Sequence, residues 1–312
     1  MRLDISPAGN YGPESPSRMA EGIALQRFAE SMLPEDMRIF YDPYAVYFLN
    51  PALLAWGKTH PAEAKAMADE IEEAMPGWSN TIRARVRFFD EICENAPGEG
   101  FNQLVILGAG YDTRAYRIGT LKDRVRIFEI DRAETQARKT AILERVLGEP
   151  MSHVSFIPID LGHEHCWQAL EGAGWSPDQK TLFLLEGLVM YLPRPVVADL
   201  FSGLCQNAGA GSAVLFDFIP QSMADGSSEA EGGRKIRAYT ILAGEPLQSG
   251  FEKDEIVPFL ASHGFTGIQV IPSRDFGRMY YSGKNADRKI SGLMTLAYAT
   301  IPGPEQATGG DE

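Results

Sequence analysis

The feature that most constrains this chain is an apolar run that enters a glycine turn, followed by a second apolar run that ends on an acid. Residues 103–117 read QLVILGAGYDTRAYR, so that apolar residues lead directly into Gly108-Ala109-Gly110. About 20 residues after such a turn is where an acid is expected, and the run RVRIFEID ends there at Asp131. Glycines let the backbone approach a ligand, and a carboxylate can accept hydrogen bonds from ribose hydroxyls. The pattern therefore predicts that a nucleotide-type cofactor binds at this end of an α/β sheet.

Each part of this pattern also has a purely structural interpretation. Any turn from a strand to a helix can use glycine, and Thr113 stands where a dinucleotide fingerprint has its third glycine. Asp131 precedes Arg132-Ala133-Glu134, and aspartate is a good helix N-cap. The two roles of Asp131 are compatible, and the combination of strand, turn, helix and acid favours the cofactor site.

Composition limits the classes of partner. The chain has 312 residues, of which 44% are hydrophobic, and its formal net charge of −13 is unsuited to a nucleic acid or an anionic membrane. Three widely spaced cysteines argue against a disulfide framework and for a reducing compartment. The segment MRLDISPAGN lacks the apolar core of a secretory signal, and no apolar run is long enough to span a bilayer. We therefore expect a cytoplasmic protein with neither a nucleic-acid nor a membrane partner.

After Gly100 the chain alternates between apolar strands and helical or irregular segments. Nearly continuous apolar strands suit a parallel sheet that is buried on both faces. We therefore predict an α/β fold with a doubly wound, mostly parallel sheet. The predicted strands are 103–107, 125–130, 153–159, 181–185, 213–218, 267–271 and 292–298.

The rest of the chain is predicted to complete one domain that spans 1–312. A helical N-terminal cap is expected at 17–98 and the sheet-containing core at 101–300, with a lid insert at 221–250. A loose arm before residue 17 and a flexible tail at 302–312 are expected from their glycine and proline content. Apolar periodicity predicts cap helices from Ser17 towards Pro34, at 62–75 and at 82–92, and a short helix through Leu49.

Acids also follow two other predicted strands. Asp160 and Leu161 follow the third strand, where a carboxylate could accept from an exocyclic amine and a leucine could pack against a purine. A turn-forming aspartate is an equal alternative there. Glu186 follows the strand in TLFLLEGLVMYLP, where a charge is costly unless it is paired or functional. This position favours a site residue over an acid that merely reaches water.

Two clusters of polar residues have weaker interpretations. Arg83, Arg85 and Arg87 lie on the last predicted helix before the sheet, and arginine can bind a carboxylate through two hydrogen bonds. A solvated basic face is nevertheless the default for such a run. The segment His163-Glu164-His165-Cys166 has a possible ligand spacing, but no second group of ligands has metal-site spacing. We expect no metal site.

Several blocks in a fixed order carry a resemblance to a known family. They read RFAESMLPEDMRIFYDPYAVYFL, RARVRFFDE, LVILGAGYDTRAYR, FEID, IDL and LLEGLVMYLP. In this order they resemble the leucine carboxyl methyltransferase superfamily over about residues 17–300. More narrowly, they resemble its bacterial branch of S-adenosylmethionine (SAM) dependent O-methyltransferases, which includes the tetracenomycin-type polyketide carboxyl methyltransferases.

The resemblance implies a class I, Rossmann-like methyltransferase fold with a helical N-terminal cap and a seven-stranded sheet whose last strand is antiparallel. The cofactor it implies is SAM, which leaves as S-adenosylhomocysteine (SAH). Matched by motif, Arg85 would bind the carboxylate of the methionine moiety, and Gly108 would pass under that moiety with Ala109 and Gly110 beside it.

The remaining site residues follow from the same resemblance. Asp131 would hold the ribose, and Asp160 with Leu161 would hold the adenine. Glu186 would lie near the methionine amino group and the reacting methyl, and Tyr191 would line the same pocket. Glu186 and Tyr191 are therefore the candidate catalytic residues.

The expected reaction is methyl transfer to an oxygen of a small, polyketide-like molecule. A carboxylate acceptor is favoured because it is already an anion at neutral pH, whereas a phenol would benefit from a general base. The side chains expected to orient the acceptor are Arg237, Tyr239, Arg274 and Tyr280.

Two other functions and one assembly stay open at this stage. An NAD(P)-dependent oxidoreductase would use the same first strand–turn–helix unit, although Thr113 and the later blocks count against it. A SAM-binding protein without turnover would keep Arg85 and Asp131. A homodimer is compatible with the resemblance.

Overall fold

The computed structural model describes residues 16–148 and 152–303. Most of the predicted arm (residues 1–15) and most of the predicted tail (residues 304–312) lie outside the described residues. Among the described residues, no helix combines the length and the apolar composition needed to cross a bilayer.

A seven-stranded sheet forms the centre of the fold, with the strand order β3-β2-β1-β4-β5-β7-β6. The first five strands pair in parallel, and β7 runs antiparallel to both of its neighbours. The prediction of a doubly wound sheet with an antiparallel last strand is therefore confirmed. The strands are Gln103–Leu107 (β1), Arg126–Asp131 (β2), Val154–Pro158 (β3), Thr181–Leu185 (β4), Ala213–Phe218 (β5), Thr266–Pro272 (β6) and Thr295–Thr300 (β7).

The predicted start of the last strand at residue 292 was wrong. The backbone N–H of Ser291 donates to Oγ1 of Thr81, at 2.9 Å, and the chain joins the sheet only from Thr295. The residues between them connect the first turn of a cap helix to the sheet, and the carbonyl oxygen of Met294 accepts from the N–H of Ser273, just beyond the end of β6, at 3.1 Å.

Twelve α-helices are described around the sheet, and the cap helices agree with the predicted periodicity except at one place. A helix over Pro51–Thr59 was not predicted, although Asn50 accepts from the Ala52 N–H and Pro51 takes the first helical position, both ordinary start signals. The helices are Arg18–Ser31 (α1), Pro51–Thr59 (α2), Pro61–Ala74 (α3), Trp78–Asn95 (α4), Arg114–Arg117 (α5), Ala133–Leu147 (α6), Trp167–Gly172 (α7), Arg194–Asn207 (α8), Gln221–Asp225 (α9), Glu231–Leu242 (α10), Ile256–Ser262 (α11) and Phe276–Tyr280 (α12).

Short 3₁₀ helices complete the described elements. The short helix predicted to run through Leu49 is one of them and ends a residue earlier. They cover Ala45–Phe48, Gly119–Leu121, Val189–Tyr191, Ser273–Asp275 and Gly283–Asn285.

The sheet is buried on both faces because successive strand side chains point in opposite directions. In β1, Leu104 and Ile106 belong to one hydrophobic core and Val105 and Leu107 to the other. Every residue of β1 and β4 is buried. Since β2 and β4 lie on opposite sides of β1, the direction of winding reverses there, and ligands bind at the carboxyl ends of strands at such a point.

A buried ion pair joins the second strand, β2, to the helix α6. Glu129 accepts from Nζ of Lys139 at 2.5 Å, and both side chains are almost fully buried. Burial raises the pKa of Glu129 to about 7 although Lys139 opposes the shift. Each partner therefore depends on the other to offset its own desolvation.

Lys139→Met is expected to lower the free energy of unfolding by roughly 3–5 kcal/mol, because it leaves the carboxyl group of Glu129 buried without its partner. The double variant Glu129→Leu/Lys139→Met should recover most of that loss, since neither charge remains. Urea-induced unfolding measures the free energy of unfolding of both variants.

Lys65→Met provides the matched control, because Lys65 pairs with Asp69 on the exposed surface. It should leave the free energy of unfolding nearly unchanged. A double variant no more stable than Lys139→Met alone would contradict the proposed mutual dependence.

Candidate functional site

A cavity of about 760 Å³ opens at the carboxyl ends of the central strands. Its volume is within the range of about 300–1,000 Å³ usual for small-molecule sites. All the candidate cofactor-binding and catalytic residues line it, and their roles stay predictions: Arg85, Gly108, Ala109, Gly110, Asp131, Asp160, Leu161, Glu186 and Tyr191.

The glycine turn after β1 forms the floor of this cavity. Gly108 and Gly110 have φ values of +68° and +47°, which glycine adopts without steric cost. A Cβ atom added to Gly108 would lie 2.8 Å from Cδ1 of Leu188. The turn therefore requires glycine at Gly108 and exposes backbone rather than side chains to the cavity.

Asp131 is held at the end of β2 by two backbone groups. Its Oδ2 accepts from the N–H of Gly110 at 2.5 Å, and its Oδ1 accepts from the N–H of Arg132 at 2.7 Å. Arg132, and not Asp131, is the N-cap residue of α6, so the helix-cap interpretation of Asp131 was wrong. Burial raises the pKa of Asp131, and the two backbone hydrogen bonds only partly offset this effect.

Asp160 and Leu161 lie at the same edge of the sheet, after β3. Oδ1 of Asp160 accepts from the N–H of Gly162 at 2.9 Å, so the turn-forming interpretation of this aspartate holds. Asp160 lines the cavity as well, and Leu161 lines it while being nearly buried. The turn thus places both residues at the wall of the cavity.

Glu186 lies between two arginines. Its Oε1 accepts from Nε of Arg85 at 2.9 Å, and its Oε2 is 2.7 Å from Nη1 of Arg114. A second acid, Asp217 of β5, accepts from Nη1 of Arg85 at 2.9 Å. The charge at the end of β4 is therefore paired, as its cost in a buried position requires.

The pairing fixes the ionisation of this cluster. Burial opposes a charge on Glu186, but the guanidinium groups of Arg114 and Arg85 outweigh it and lower the pKa of the carboxyl. Burial likewise opposes the charge on Arg85, and the carboxylates of Asp217 and Glu186 raise the pKa of its guanidinium. Glu186 is therefore an anion at neutral pH with little tendency to take up a proton.

Of the three arginines on α4, Arg85 lines the cavity, and the other two have structural partners. Nε of Arg83 donates to Oε1 of Gln26 at 3.2 Å, and Nε of Arg87 donates to Oε1 of Glu91 at 3.0 Å. The default interpretation of a solvated basic face is wrong for Arg85, which is buried.

Sequence reasoning missed the contribution of α1, which covers part of the cavity. Arg27 and Tyr111 both line it and are both buried. Nη2 of Arg27 donates to the carbonyl oxygen of Tyr111 at 2.5 Å. Among the described residues, however, Nε of Arg27 and the hydroxyl of Tyr111 have no hydrogen-bond partner. The only sequence signal for these residues was their position inside blocks that carry the family resemblance.

One part of the cavity is lined by apolar side chains, and we call it the distal half. Several of its residues pack together in one hydrophobic cluster with Tyr191 at its edge. The apolar residues that line the distal half are Met75, Trp78, Ile82, Met190, Ile219, Met223, Ile236, Leu247 and Met294.

Only one of the four side chains predicted to orient an acceptor lines this cavity. Tyr239 does so, whereas Arg237, Arg274 and Tyr280 do not. Nε of Arg237 donates to the carbonyl oxygen of Ala224 at 3.1 Å, and the hydroxyl of Tyr280 donates to Oε2 of Glu91. The sequence pattern of the predicted insert could not indicate which face of α10 points inward.

The segment after α10, which carries Glu245 and Gln248, binds the start of α1, the helix that covers part of the cavity. Oε1 of Glu245 accepts from the backbone N–H groups of Arg18 and Met19, at 2.8 and 3.0 Å, and Oε2 accepts from Oγ of Ser17 at 2.9 Å. The N–H of Gln248 donates to the carbonyl oxygen of Met190 at 2.8 Å. This segment therefore joins the start of α1 to the turn that follows β4.

No described group of three or more His, Cys, Asp or Glu side chains is arranged to hold a metal ion. The histidines of the His163–Cys166 segment were the sequence candidates, and His163 lines the cavity at the Asp160 end.

The amino-acid sequence of the chain matches that of a known family. A family model described as leucine carboxyl methyltransferase matches residues 20–205. The chain is 30% identical over 258 residues to a "Putative S-adenosyl-L-methionine-dependent methyltransferase" of Mycobacteroides abscessus, covering 79% of this chain and 82% of that protein. It is 28% identical to a Bacillus subtilis protein of the same description, YktD, covering 70% of this chain and 71% of that one.

Solved structures agree on the fold. The crystal structure of a "putative methyltransferase" from Thermobifida fusca has a TM-score of 0.60 at 13% identity, and covers 96% of this chain and 99% of that one. A protein of the DUF574 family from Streptomyces avermitilis has a TM-score of 0.58 at 12% identity, covering 89% and 97%.

Glu245→Ala is expected to loosen the first turn of α1, because backbone N–H groups lose the carboxylate that accepts from them. A lost helix cap costs about 1 kcal/mol, so amide hydrogen exchange at Arg18 and Met19 should accelerate about fivefold. Mass spectrometry of deuterium uptake measures this exchange. Glu229→Ala, which removes an exposed acid of the same insert, is the control. Equal exchange in the two variants would contradict this role of Glu245.

Proposed function

This chain belongs to the leucine carboxyl methyltransferase family, and from that premise we propose that it transfers the methyl group of SAM to a carboxylate oxygen of a small molecule. It is a SAM-dependent methyltransferase, as its relatives are named. The proposal concerns the acceptor and the residues that act on it.

The described residues fit the cofactor. The glycine turn leaves backbone facing the cavity, and Asp131 presents a carboxylate beside it. Arg27 and Tyr111 each keep one buried polar atom without a partner, which a polar ligand at the cavity wall could bind. Such atoms are costly to bury alone, so a ligand that bonded with them would be bound more tightly.

We assign the binding roles by position. Arg85 would bind the carboxylate of the methionine moiety, because two of its nitrogens are held by acids and Nη2 has no partner among the described residues. Asp131 would accept from the ribose hydroxyls, and Asp160 with Leu161 would hold the adenine. The turn at Gly108 would let the backbone approach the methionine moiety closely.

Glu186 would orient the methionine amino group rather than move a proton. Its carboxylate is kept ionised by Arg85 and Arg114, so it can accept hydrogen bonds from an ammonium group. The bound cofactor supplies a methyl group on a positively charged sulfur; an acceptor oxygen donates a lone pair to the new C–O bond while the S–C bond breaks, its electrons remaining on the sulfur of SAH. The protein contributes orientation and exclusion of water.

The observation that carries the carboxylate proposal is that Tyr191, Glu245 and Glu186 are not available to act as a general base. Burial, followed by the nearby carboxylate of Glu245, raises the pKa of Tyr191, so its hydroxyl keeps its proton. Glu245 itself is occupied by the start of α1, and Glu186 is paired. A carboxylate acceptor has already lost its proton and needs none of these groups as a base.

The oxidoreductase alternative has little support in the cofactor loop. Thr113 is fully buried, and its hydroxyl donates to Oδ2 of Asp42 at 2.7 Å. This threonine joins the loop to the cap through its side chain. It does so at the position where a dinucleotide site has its third glycine. A SAM-binding protein without turnover is separated from an enzyme by the measurements below.

We expect wild-type protein to bind SAM with micromolar affinity, about −8 kcal/mol, and to give no signal with NAD or NADP in calorimetric titration. Asp131→Ala should abolish SAM binding because the ribose loses its acceptor. Asp254→Ala, which removes an exposed acid, should bind as wild type. Failure of the well-folded wild type to bind SAM would sink the proposal.

The affinity for SAM should fall as the pH is lowered from neutrality, and the fall should begin at a higher pH than the ionisation of an ordinary aspartic acid would give. The pKa of Asp131 is raised, so this carboxyl takes up a proton at a higher pH than an ordinary aspartic acid does and then accepts less well from ribose hydroxyls. Calorimetry at several pH values measures the effect, and Asp131→Asn should bind weakly and without this pH dependence. A wild-type affinity that does not change as the pH is lowered would argue against the ribose role.

Transfer to a carboxylate is tested by the product. With radiolabelled SAM and small carboxylic acids, the label should enter a base-labile methyl ester that releases methanol on mild alkaline treatment. A base-stable label would point to a hydroxyl or amine acceptor. SAM binding without transfer to any acceptor class would favour the non-catalytic alternative.

A further inference from the structure

We infer that the acceptor is a lipophilic molecule with a single carboxylate, whose apolar body fills the distal half and extends towards solvent between α1, α3 and α10. The inference rests on the proposed function, because the carboxylate is the group that would receive the methyl. The charge pattern of the cavity and the composition of its walls and mouth carry it.

The walls of the distal half match an apolar body. Most of the lining side chains come from the cap, from the turn after β4 and from the insert, with Ile219 after β5 and Met294 before β7. Seven of the nine pack in one hydrophobic cluster, and Ile82 and Met294 belong to the core on one face of the sheet. Methionines are frequent among them, and their unbranched side chains adapt to irregular apolar surfaces. Met190 and Met223 are buried and form part of the packed wall, and the rest of the lining of the distal half is also apolar, so a bound chain would lie against a largely apolar surface.

The apolar lining continues to the mouth of the cavity. Leu25 of α1, Ile71 of α3 and Tyr239 of α10 all line the cavity, yet they remain 38%, 42% and 51% exposed. Scattered exposed apolar residues are common, but residues gathered around one opening mark a binding surface. The apolar path therefore runs from the distal half to solvent.

The helix that carries Ile71 is unusual in its packing. No residue of α3 is buried, and none of α2 is either. The C-terminal end of α3 nevertheless reaches the cavity through Ile71 and Met75. The apolar side of α3 thus gains a partner when an apolar chain occupies the mouth.

Charge restricts the acceptor further. Among the described residues, the arginines that line the cavity lie at or beside its sheet edge, and Arg27, Arg85 and Arg114 are bound to acids there. The titratable acid of the distal half is Glu245. A second anionic group on the acceptor would therefore lie in apolar surroundings without a cation, which is costly. Phosphorylated molecules, coenzyme A thioesters and diacids are disfavoured.

The test uses matched pairs of acids of increasing length. Straight-chain monocarboxylic acids of four to twelve carbons, and the dicarboxylic acids of the same lengths, are titrated into the SAH complex by calorimetry. Each methylene that becomes buried should tighten monoacid binding about fourfold until the chain reaches the mouth. Each diacid that is too short for its second carboxylate to reach the mouth should bind more weakly than its monoacid. Affinity independent of chain length, or a preference for diacids, would overturn the inference.

Variants at the mouth locate the apolar path. Ile71→Lys and Ile71→Glu both change a half-exposed residue, so the fold should tolerate them. The longest monoacids should bind both variants more weakly than wild type, and at least one diacid should bind Ile71→Lys about fivefold more tightly than Ile71→Glu. Val257→Lys, at an equally exposed apolar residue that does not line the cavity, is the control and should leave all affinities unchanged. Equal binding to wild type and both Ile71 variants would overturn the proposed path.

The two proposals fail in different ways. If long monoacids bind the SAH complex but none becomes a methyl ester, the carboxylate transfer is wrong while the apolar acceptor site stands. If short acids and diacids are methylated as well as long monoacids, the transfer stands and the inference about the acceptor is wrong. Titration of SAM into each Ile71 variant shows whether the cofactor site is intact, and its affinity should equal that of wild type.

Discussion

The buried network of arginines and acids behind the cavity is the interaction on which the arrangement of the site depends. Arg85 of the cap helix α4 binds acids at the ends of β4 and β5, and Arg114 of α5 binds Glu186 and Asp90. Each charge has been removed from water and is stabilised only by its partners. The cap therefore cannot shift over the sheet edge without leaving charges unpaired, so the network fixes the wall of the cavity.

Much of the fold and several site residues could be predicted from sequence because they depend on local pattern and on one property of parallel sheets. The carboxyl ends of parallel strands meet at one edge, so Asp131, Asp160 and Glu186 were expected to lie together once the strands were placed. The glycine turn was visible for the same reason. These predictions needed the order of strands but no detail of side-chain packing.

The rest could not be predicted because it depends on partners that are distant in sequence. Glu129 and Asp131 are two residues apart and share a strand face, yet Glu129 pairs with Lys139 of α6 while Asp131 lines the cavity. The three alternating arginines of α4 likewise differ only in which neighbours they meet. Arg237 was expected at the acceptor, but the inward face of α10 is set by packing that the sequence of the insert does not reveal.

The contact between Glu245 and the start of α1 has a consequence for the order of events. The segment that carries Glu245 also supplies Leu247 to the distal half, and α1 covers the glycine turn. One piece of chain, joined to α1, thus lies against the proposed sites of both ligands. Binding free energies are reciprocal, so an acceptor that stabilises this contact must tighten the cofactor by the same factor by which the cofactor tightens the acceptor. The enzyme would then retain its cofactor while occupied and exchange it once the product has left.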